Sequence, residues 1–371
     1  MLTRHLKQFV KYIIRIILIV PRALESRFKR SPRVVFYSPA SFQAQHLYPV
    51  IQHIIDQNVQ WELVLIGDFD SKFGVCYYNQ LSDFPIYKTI DIYISTEMVL
   101  PWWLDAIKIF FGHGVGPKID YQEKYRTSGF DISFSPCLPI YKAHLKPRNR
   151  NKAEPCKIGL PVLDAYINGS VKIKKSFICD FFQVPTNQPI LVYAPSWNSD
   201  PDLNSNFDVI IGELKKCKGM SLIVSPHPNL LTNSINGRLS DFCRYGVAIN
   251  TKYSTLDLCA AADVVISDIS SVMFESIAMK KTVVFDGNRK VYSMYGADYV
   301  LSMVEASLPR INWEGDVCCQ LKKIIEQYKD TDGDEFRSKY FFNLGDSTMV
   351  FVDSIESILH GVISKSNRSP S

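Results

Sequence analysis

From residue 33 onward, short runs rich in Val, Ile, Phe and Tyr alternate with longer segments of mixed polar and apolar residues. Such alternation predicts βα units built on parallel sheets. In the first half the stretches 33–39 (RVVFYSP), 61–68 (WELVLIGD), 91–96 (DIYIST), 107–113 (IKIFFGH), 130–136 (FDISFSP) and 156–161 (CKIGLP) read as strands. A second series follows at 189–197 (PILVYAPSW), 221–228 (SLIVSPHP), 245–250 (YGVAIN), 262–268 (ADVVISD) and 281–287 (KTVVFDG). Helical periodicity separates them, as at 208–218 and 271–280, and helices at 313–328 and 336–360 close the second half. The pattern predicts an α/β protein of two Rossmann-like domains, 33–170 and 171–362, facing each other across a cleft, with a flexible tail at 363–371.

The start of the chain follows a different rule. The run QFVKYIIRIILIV spans 13 residues, carries Lys11 and Arg15 and stops at Pro21, short of the ~20 apolar residues that cross a bilayer. Bulky basic residues follow it where a signal peptide would place small ones. Residues 1–32 therefore read as a basic amphipathic helix for an anionic membrane surface, with packing on the protein's own body as the alternative.

Composition sharpens this division. The chain has 371 residues, 46% of them hydrophobic, and a net charge of +5. Residues 1–33 hold nine Lys and Arg against Glu25 alone, a local +8, so the remainder carries −3. A body of that charge is not a nucleic-acid binder. Nine cysteines without a C-x-x-C pair read as separate, mostly buried thiols of a reducing compartment.

In a parallel sheet, ligands gather at the carboxyl ends of the strands, and four such positions carry chemistry. After the 107–113 strand comes FFGHGVGPK, where Gly112, Gly114 and Gly116 let the backbone approach a ligand closely. The unperturbed pKa of an imidazole, about 6.5, lies near ambient pH, so His113 between them suits a general base; a turn histidine bonded to backbone is the plainer alternative. Lys118 can counter a phosphate or simply face solvent. After the 221–228 strand, His227 stands between two prolines that stiffen its loop.

The stretch 262–286, ADVVISDISSVMFESIAMKKTVVFD, is the richest. Asp268, Ser270 and Ser271 open a helix whose exposed amides suit a phosphate or pyrophosphate. Glu275, one turn on, lies on the Ser271 side within reach of ribose hydroxyls; ordinary capping by Ser and Asp is the competing explanation. The turn YAPSWN places Ser196 and Asn198 at the cleft. No carboxylate cluster calls for an obligatory cofactor or metal cage; Asp263 and Asp268 leave Mg²⁺ as an option, though capping aspartates fit better.

Taken in order, GHGVGPK, KIGLPVLD, LVYAPSWN, SPHPNL, VVISDISSVMFESIAMKKTVVFD and FNLGDST resemble the motif series of the CDP-glycerol glycerophosphotransferase family, the teichoic-acid primases, polymerases and related capsule enzymes, over about residues 90–350. The resemblance implies a GT-B fold with its active site between the domains. It also implies a peripheral enzyme on the cytoplasmic face of the membrane that moves glycerol phosphate or ribitol phosphate from CDP-glycerol or CDP-ribitol to a hydroxyl of a lipid-linked or polymeric acceptor, with CMP leaving. By motif position it makes His113 the catalytic histidine and places His227, Ser270, Ser271 and Glu275 around the donor's pyrophosphate and cytidine. One departure stands out: the family often has an arginine shortly before the second histidine, where this chain has Ser225, so cationic help falls to Lys118 or Arg289. The alternatives are a nucleotide-sugar glycosyltransferase or epimerase on the same scaffold, and a non-catalytic scaffold of a polymer-export complex.

Overall fold

The computed structural model describes residues 4–28, 31–112, 114–116, 129–145, 153–196, 206–227, 246–251, 253–294, 297–328 and 333–361. The expected tail at 363–371 lies outside them. Two wholly parallel sheets organise the chain. The first contains β1 (Arg33–Ser38), β2 (Glu62–Gly67), β3 (Cys76–Tyr78), β4 (Ile92–Ser95), β5 (Ile107–Phe110), β6 (Ile132–Ser135) and β7 (Glu154–Lys157), in the spatial order 3-2-1-4-5-6-7. The second contains β8 (Ile190–Ala194), β9 (Ser221–Val224), β10 (Ala248–Ile249), β11 (Val264–Ser267) and β12 (Val283–Phe285), in the order 10-9-8-11-12. Central strands such as Val34–Phe36 and Val264–Ile266 are apolar on both faces and wholly buried, which is why they read as continuous hydrophobic runs. Each order reverses once, between β1 and β4 and between β8 and β11. Those reversals open a crevice at the strands' carboxyl ends.

The principal helices are α1 (Arg4–Phe28), α2 (Tyr48–Asp56), α3 (Phe207–Lys215), α4 (Thr255–Ala261), α5 (Ser271–Ala278), α6 (Val317–Gln327), α7 (Asp334–Tyr340) and α8 (Ser347–Leu359). Two differ from the sequence pattern. The single closing segment 336–360 is split by the turn at 341–346, and its second half does not complete the second domain. Instead α8 crosses back onto the first sheet, where the Phe351 ring lies 4.9 Å from Phe134, 5.2 Å from Phe111 and 6.2 Å from Phe36. Strand β3, with two of its three residues exposed, is too short to leave a periodic signal.

The crossover is fixed by the two loops whose sequences are KIGLPVLD and FNLGDST. The Asp164 carboxylate accepts the Ser347 amide at 3.2 Å and the Thr348 amide at 2.6 Å, capping α8 from 183 residues away. Asn343 Nδ2 donates to the Lys157 and Ile158 carbonyls. Gly159 has φ +96°, and a Cβ there would lie 2.3 Å from Ser347 Oγ, so only glycine admits this approach.

Helix α1 is docked inside out. Lys11 lies over the Trp102 ring, Arg15 donates to the Trp102 carbonyl, and Arg22 donates to the Ile86 and Trp103 carbonyls. Glu25 pairs with Arg33 at 2.8 Å and accepts from Thr89. Partial burial pushes the Glu25 carboxyl up, but the Arg33 and Thr89 hydrogen bonds outweigh that and hold it at about 2. While these polar residues face the body, Phe9, Tyr12, Ile16, Ile17, Val20 and Leu24 remain exposed; among the helix's described side chains only Leu18 is buried. No helix among the described residues is long and apolar enough to cross a membrane.

The cysteine reading needs correction. Cys217 and Cys318 form a disulfide, with Cα atoms 4.9 Å apart and a separation of 101 positions along the chain. Both belong to the helical layer in which Ile211 and Leu214 pack with Val317 and Leu321 on the second sheet, a proximity that spacing along the chain does not reveal. Six further described cysteines are free thiols.

Asp164→Ala should lower the unfolding free energy by about 1–2 kcal/mol through loss of the α8 cap. A guanidinium titration would register this as an earlier midpoint, with the far-ultraviolet circular dichroism of the native state preserved.

Candidate active site

Beyond β5 the chain enters the glycine loop of the first sheet; beyond β11 it enters the start of α5 in the second. The structure brings these two together. Ser271 Oγ accepts the Val115 amide at 3.2 Å and the Gly116 amide at 3.3 Å. Gly114, at φ +79°, lies so close that a Cβ would sit 2.2 Å from Ser271 Oγ. From the other side, Tyr340 of α7 donates its hydroxyl to the Val115 carbonyl at 2.8 Å. Burial holds that phenol well above its ordinary pKa, so it stays a donor. His113, Lys118 and Asn198 lie outside the described residues; Gly114, Val115 and Gly116 rest against the start of α5.

Asp268 organises the second side. Fully buried at the end of β11, it accepts the Ser196 amide at 3.0 Å and the Ser270 amide at 3.1 Å through one oxygen, and the Ser196 hydroxyl at 2.7 Å through the other. Ser270 Oγ in turn accepts the Val272 amide as the N-cap of α5. This knot sits where the strand order reverses between β8 and β11 and fixes the turn after β8 against the turn after β11. The two aspartates weighed for Mg²⁺ do not share a site, because they occupy opposite ends of β11. Asp263 is tied to Lys175 at 2.8 Å and to the Ile190 amide at 2.7 Å. Among the described residues no cluster of three or more His, Cys, Asp or Glu suits a metal ion.

Of the hydroxyls expected to meet a phosphate, that of Ser271 engages the glycine loop, that of Ser270 caps its own helix and that of Ser196 binds Asp268. Only Ser196 spends its proton this way; the bonds to Ser270 and Ser271 use their oxygens as acceptors, so their O–H groups can still donate beside the backbone amides of the helix start. Glu275 is buried, and its desolvated carboxyl is pushed up to about 7. Its charge reaches the Tyr166 phenol and the Cys259 thiol.

His227 is half-buried at the mouth of β9, two residues after Ser225. Ser225 is itself buried in a network with Asn250, whose Nδ2 donates to its Oγ at 3.0 Å, and with the Thr255 hydroxyl at 3.1 Å. Ser225 thus belongs to a neutral cluster of two hydroxyls and an amide. Arg289 is bound to Glu305 at 2.7 Å. Sequence reasoning missed Tyr340, Asn250 and Thr255: each acts through a partner far away in the chain or inside an unremarkable loop, and none belongs to a motif that singles it out.

Gly114→Ala should lower turnover by about 100-fold, since a displacement near 1 Å at a reacting loop has that effect; steady-state kinetics at saturating substrates would measure it. Glu275 should leave a stability signature. With its native pKa near 7 and an unfolded value near 4.5, the unfolded state releases its proton first, so stability falls as pH rises between these values, by up to about 1.4 kcal/mol per pH unit. Glu275→Gln should flatten that slope in urea denaturation series run from pH 5 to pH 7.5.

Two kinds of comparison place this geometry. The model of the family described as CDP-glycerol:poly(glycerophosphate) glycerophosphotransferase matches residues 117–346. By sequence, no curated protein matches significantly. Among solved structures, the wall teichoic acid polymerase TagF is similar with a TM-score of 0.61 at 16% identity, over 97% of this chain and 100% of that one. A putative UDP-N-acetylglucosamine 2-epimerase from Listeria monocytogenes gives 0.58 at 11% identity, over 89% and 97% of the two chains. The S. aureus MnaA–UDP structure gives 0.57 at 12%, over 92% and 99%. At such identities the likeness establishes the fold alone, two facing Rossmann-like domains of GT-B type. The match over residues 117–346 covers more than half of the chain, and with it the protein belongs to the CDP-glycerol:poly(glycerophosphate) glycerophosphotransferase family.

Proposed function

We propose that this glycerophosphotransferase-type enzyme transfers glycerol phosphate, or ribitol phosphate, from a CDP-alditol to a hydroxyl of a lipid-linked or polymeric acceptor in teichoic-acid or capsule-type synthesis. The observation that carries the reading is the seating of the glycine loop on the start of α5, with Ser271 Oγ holding the Val115 and Gly116 amides. His113 directly precedes Gly114 in that loop, and the helix start on which Gly114 to Gly116 rest offers amides that suit a diphosphate. In this mechanism His113 takes the acceptor proton while the acceptor oxygen forms a bond to the β-phosphorus, and the bond from that phosphorus to the oxygen of the departing CMP breaks in line. His227, Lys118 and the α5 amides stabilise charge on the transferred group and on CMP. No metal is assigned a step.

The inverted docking of α1 supports a peripheral site of action. Its polar side is spent on the body, leaving a row of large apolar residues for the acyl region of a bilayer. The enzyme would then work at the cytoplasmic face of the membrane, where a lipid-linked acceptor is presented.

Incubation with CDP-glycerol, CDP-ribitol or a UDP-sugar, each with acceptor, tests the reaction class. Release of CMP supports alditol-phosphate transfer; release of UDP would identify a glycosyltransferase instead. His113→Ala should reduce CMP release by about 10²–10⁴-fold, while CDP-glycerol still raises the melting temperature. For the membrane, Ile17→Asp with Val20→Asp, both at positions 64% exposed, should abolish co-sedimentation with anionic vesicles and leave the melting temperature unchanged.

A further inference from the structure

The carboxyl edge of the first sheet holds a second opening, apart from the glycine loop. A cleft of about 520 Å³ lies beyond the ends of β1, β2 and β3, lined in part by Tyr37, Asp68, Tyr77, Asn79, Gln80 and Ser82. That volume is within the range of small-ligand sites. Its floor is closely built: Gly67 has φ +113°, and a Cβ there would lie 1.9 Å from the Ser38 carbonyl oxygen. The Tyr77 hydroxyl donates to the Gly67 carbonyl at 2.7 Å, and the Asp68 amide donates to the Ser38 carbonyl at 2.8 Å. Asp68 Oδ2 also accepts the Ser41 amide at 2.9 Å, which fixes its carboxylate at the rim.

The lining chemistry selects among ligands. None of the nine lining residues is cationic and one is a carboxylate, so a phosphate finds no counter-charge there and meets repulsion. Two phenol rings supply flat apolar surface with a polar edge, while the carboxylate, two amides and a serine hydroxyl supply acceptors and donors side by side. Apolar faces joined to a dense set of neutral hydrogen-bonding groups match a pyranose ring, which has a C–H face and a hydroxyl rim.

Position links the cleft to the reaction. Three strand spacings separate β2 from β5, about 14 Å, along the same edge. The interval is polar as well: the Thr96 hydroxyl donates to Ser38 Oγ at 3.0 Å, and Gln43 Nε2 donates to Glu97 at 2.6 Å. We propose that this cleft binds a sugar ring of the acceptor, set back from the hydroxyl that receives the alditol phosphate. The acceptor it selects is saccharide-bearing and not a bare polyol phosphate. This rests on the transferase reading above for the reaction but not for the binding.

Saturation-transfer NMR with a panel of methyl glycosides, and with glycerol 3-phosphate in parallel, tests binding without turnover. Wild-type protein should saturate at least one methyl glycoside and not glycerol 3-phosphate. Asn79→Ala and the cleft-filling Ser82→Trp, at an exposed position, should remove that signal, with melting temperature and the CDP-glycerol-induced shift unchanged. In turnover assays with a glycoside acceptor, Asn79→Ala should raise acceptor KM about tenfold, as loss of one hydrogen bond does, with the KM for CDP-glycerol constant. Absence of any glycoside signal, equal signals in the variants, or preferential saturation of glycerol 3-phosphate would each overturn the proposal. Should wild-type protein bind glycosides through this cleft yet release no CMP, the donor assignment fails and the sugar site stands.

Discussion

The hydroxyl of Ser271 receives two amide protons from the other half of the protein, and the geometry of the cleft follows from that contact. Each bond is ordinary, worth about 1 kcal/mol net, but together they hold the glycine loop of the first sheet on the helix start of the second. Tyr340 completes the clamp from a third direction through the Val115 carbonyl. Because Gly114 approaches Ser271 more closely than any side chain permits, the loop and the helix constrain each other's sequence.

Behind this contact stands a repeated topological device. Both sheets reverse their strand order once, and at both reversals a compact polar knot ties neighbouring turns together: Ser38 with Thr96 in the first, Ser196 with Asp268 and Ser270 in the second. The buried carboxylate of Asp268 has its accepting positions filled by two amides and a hydroxyl, the condition under which burial of such a group is tolerated. A residue that resembles a ligand on the page is thus a positioning residue for the turns around it. The KIGLPVLD and FNLGDST segments play a comparable part at the far end of the chain, where Asp164 and Asn343 fasten the returning helix to the first sheet.

Helix α1 follows the opposite logic to a surface helix of a soluble domain, which turns its apolar stripe inward. Here the basic side chains supply the attachment, and carbonyls of the loops near residues 86 and 102–103 accept their protons. The Glu25–Arg33 pair anchors its carboxyl-terminal end where β1 begins. A face so arranged has a fixed orientation relative to the sheets, unlike a segment on a flexible tether.

The alternation of apolar runs and polar segments determined the fold class by itself, because strands buried on both faces must be continuously hydrophobic and parallel strands must be joined by long crossovers. It also located the loops that carry chemistry, since those loops begin where hydrophobic runs end. The glycines around position 113 and the Ser-Ser helix start were legible for the same reason. Tertiary structure alone decided which hydroxyls already have partners, that Asp263 and Asp268 lie at opposite ends of one strand, that the last helix returns to the first sheet, and that Cys217 meets Cys318. Each of these depends on contacts between residues tens to hundreds of positions apart, and periodicity along a chain encodes which face of an element is buried, not which distant element buries it.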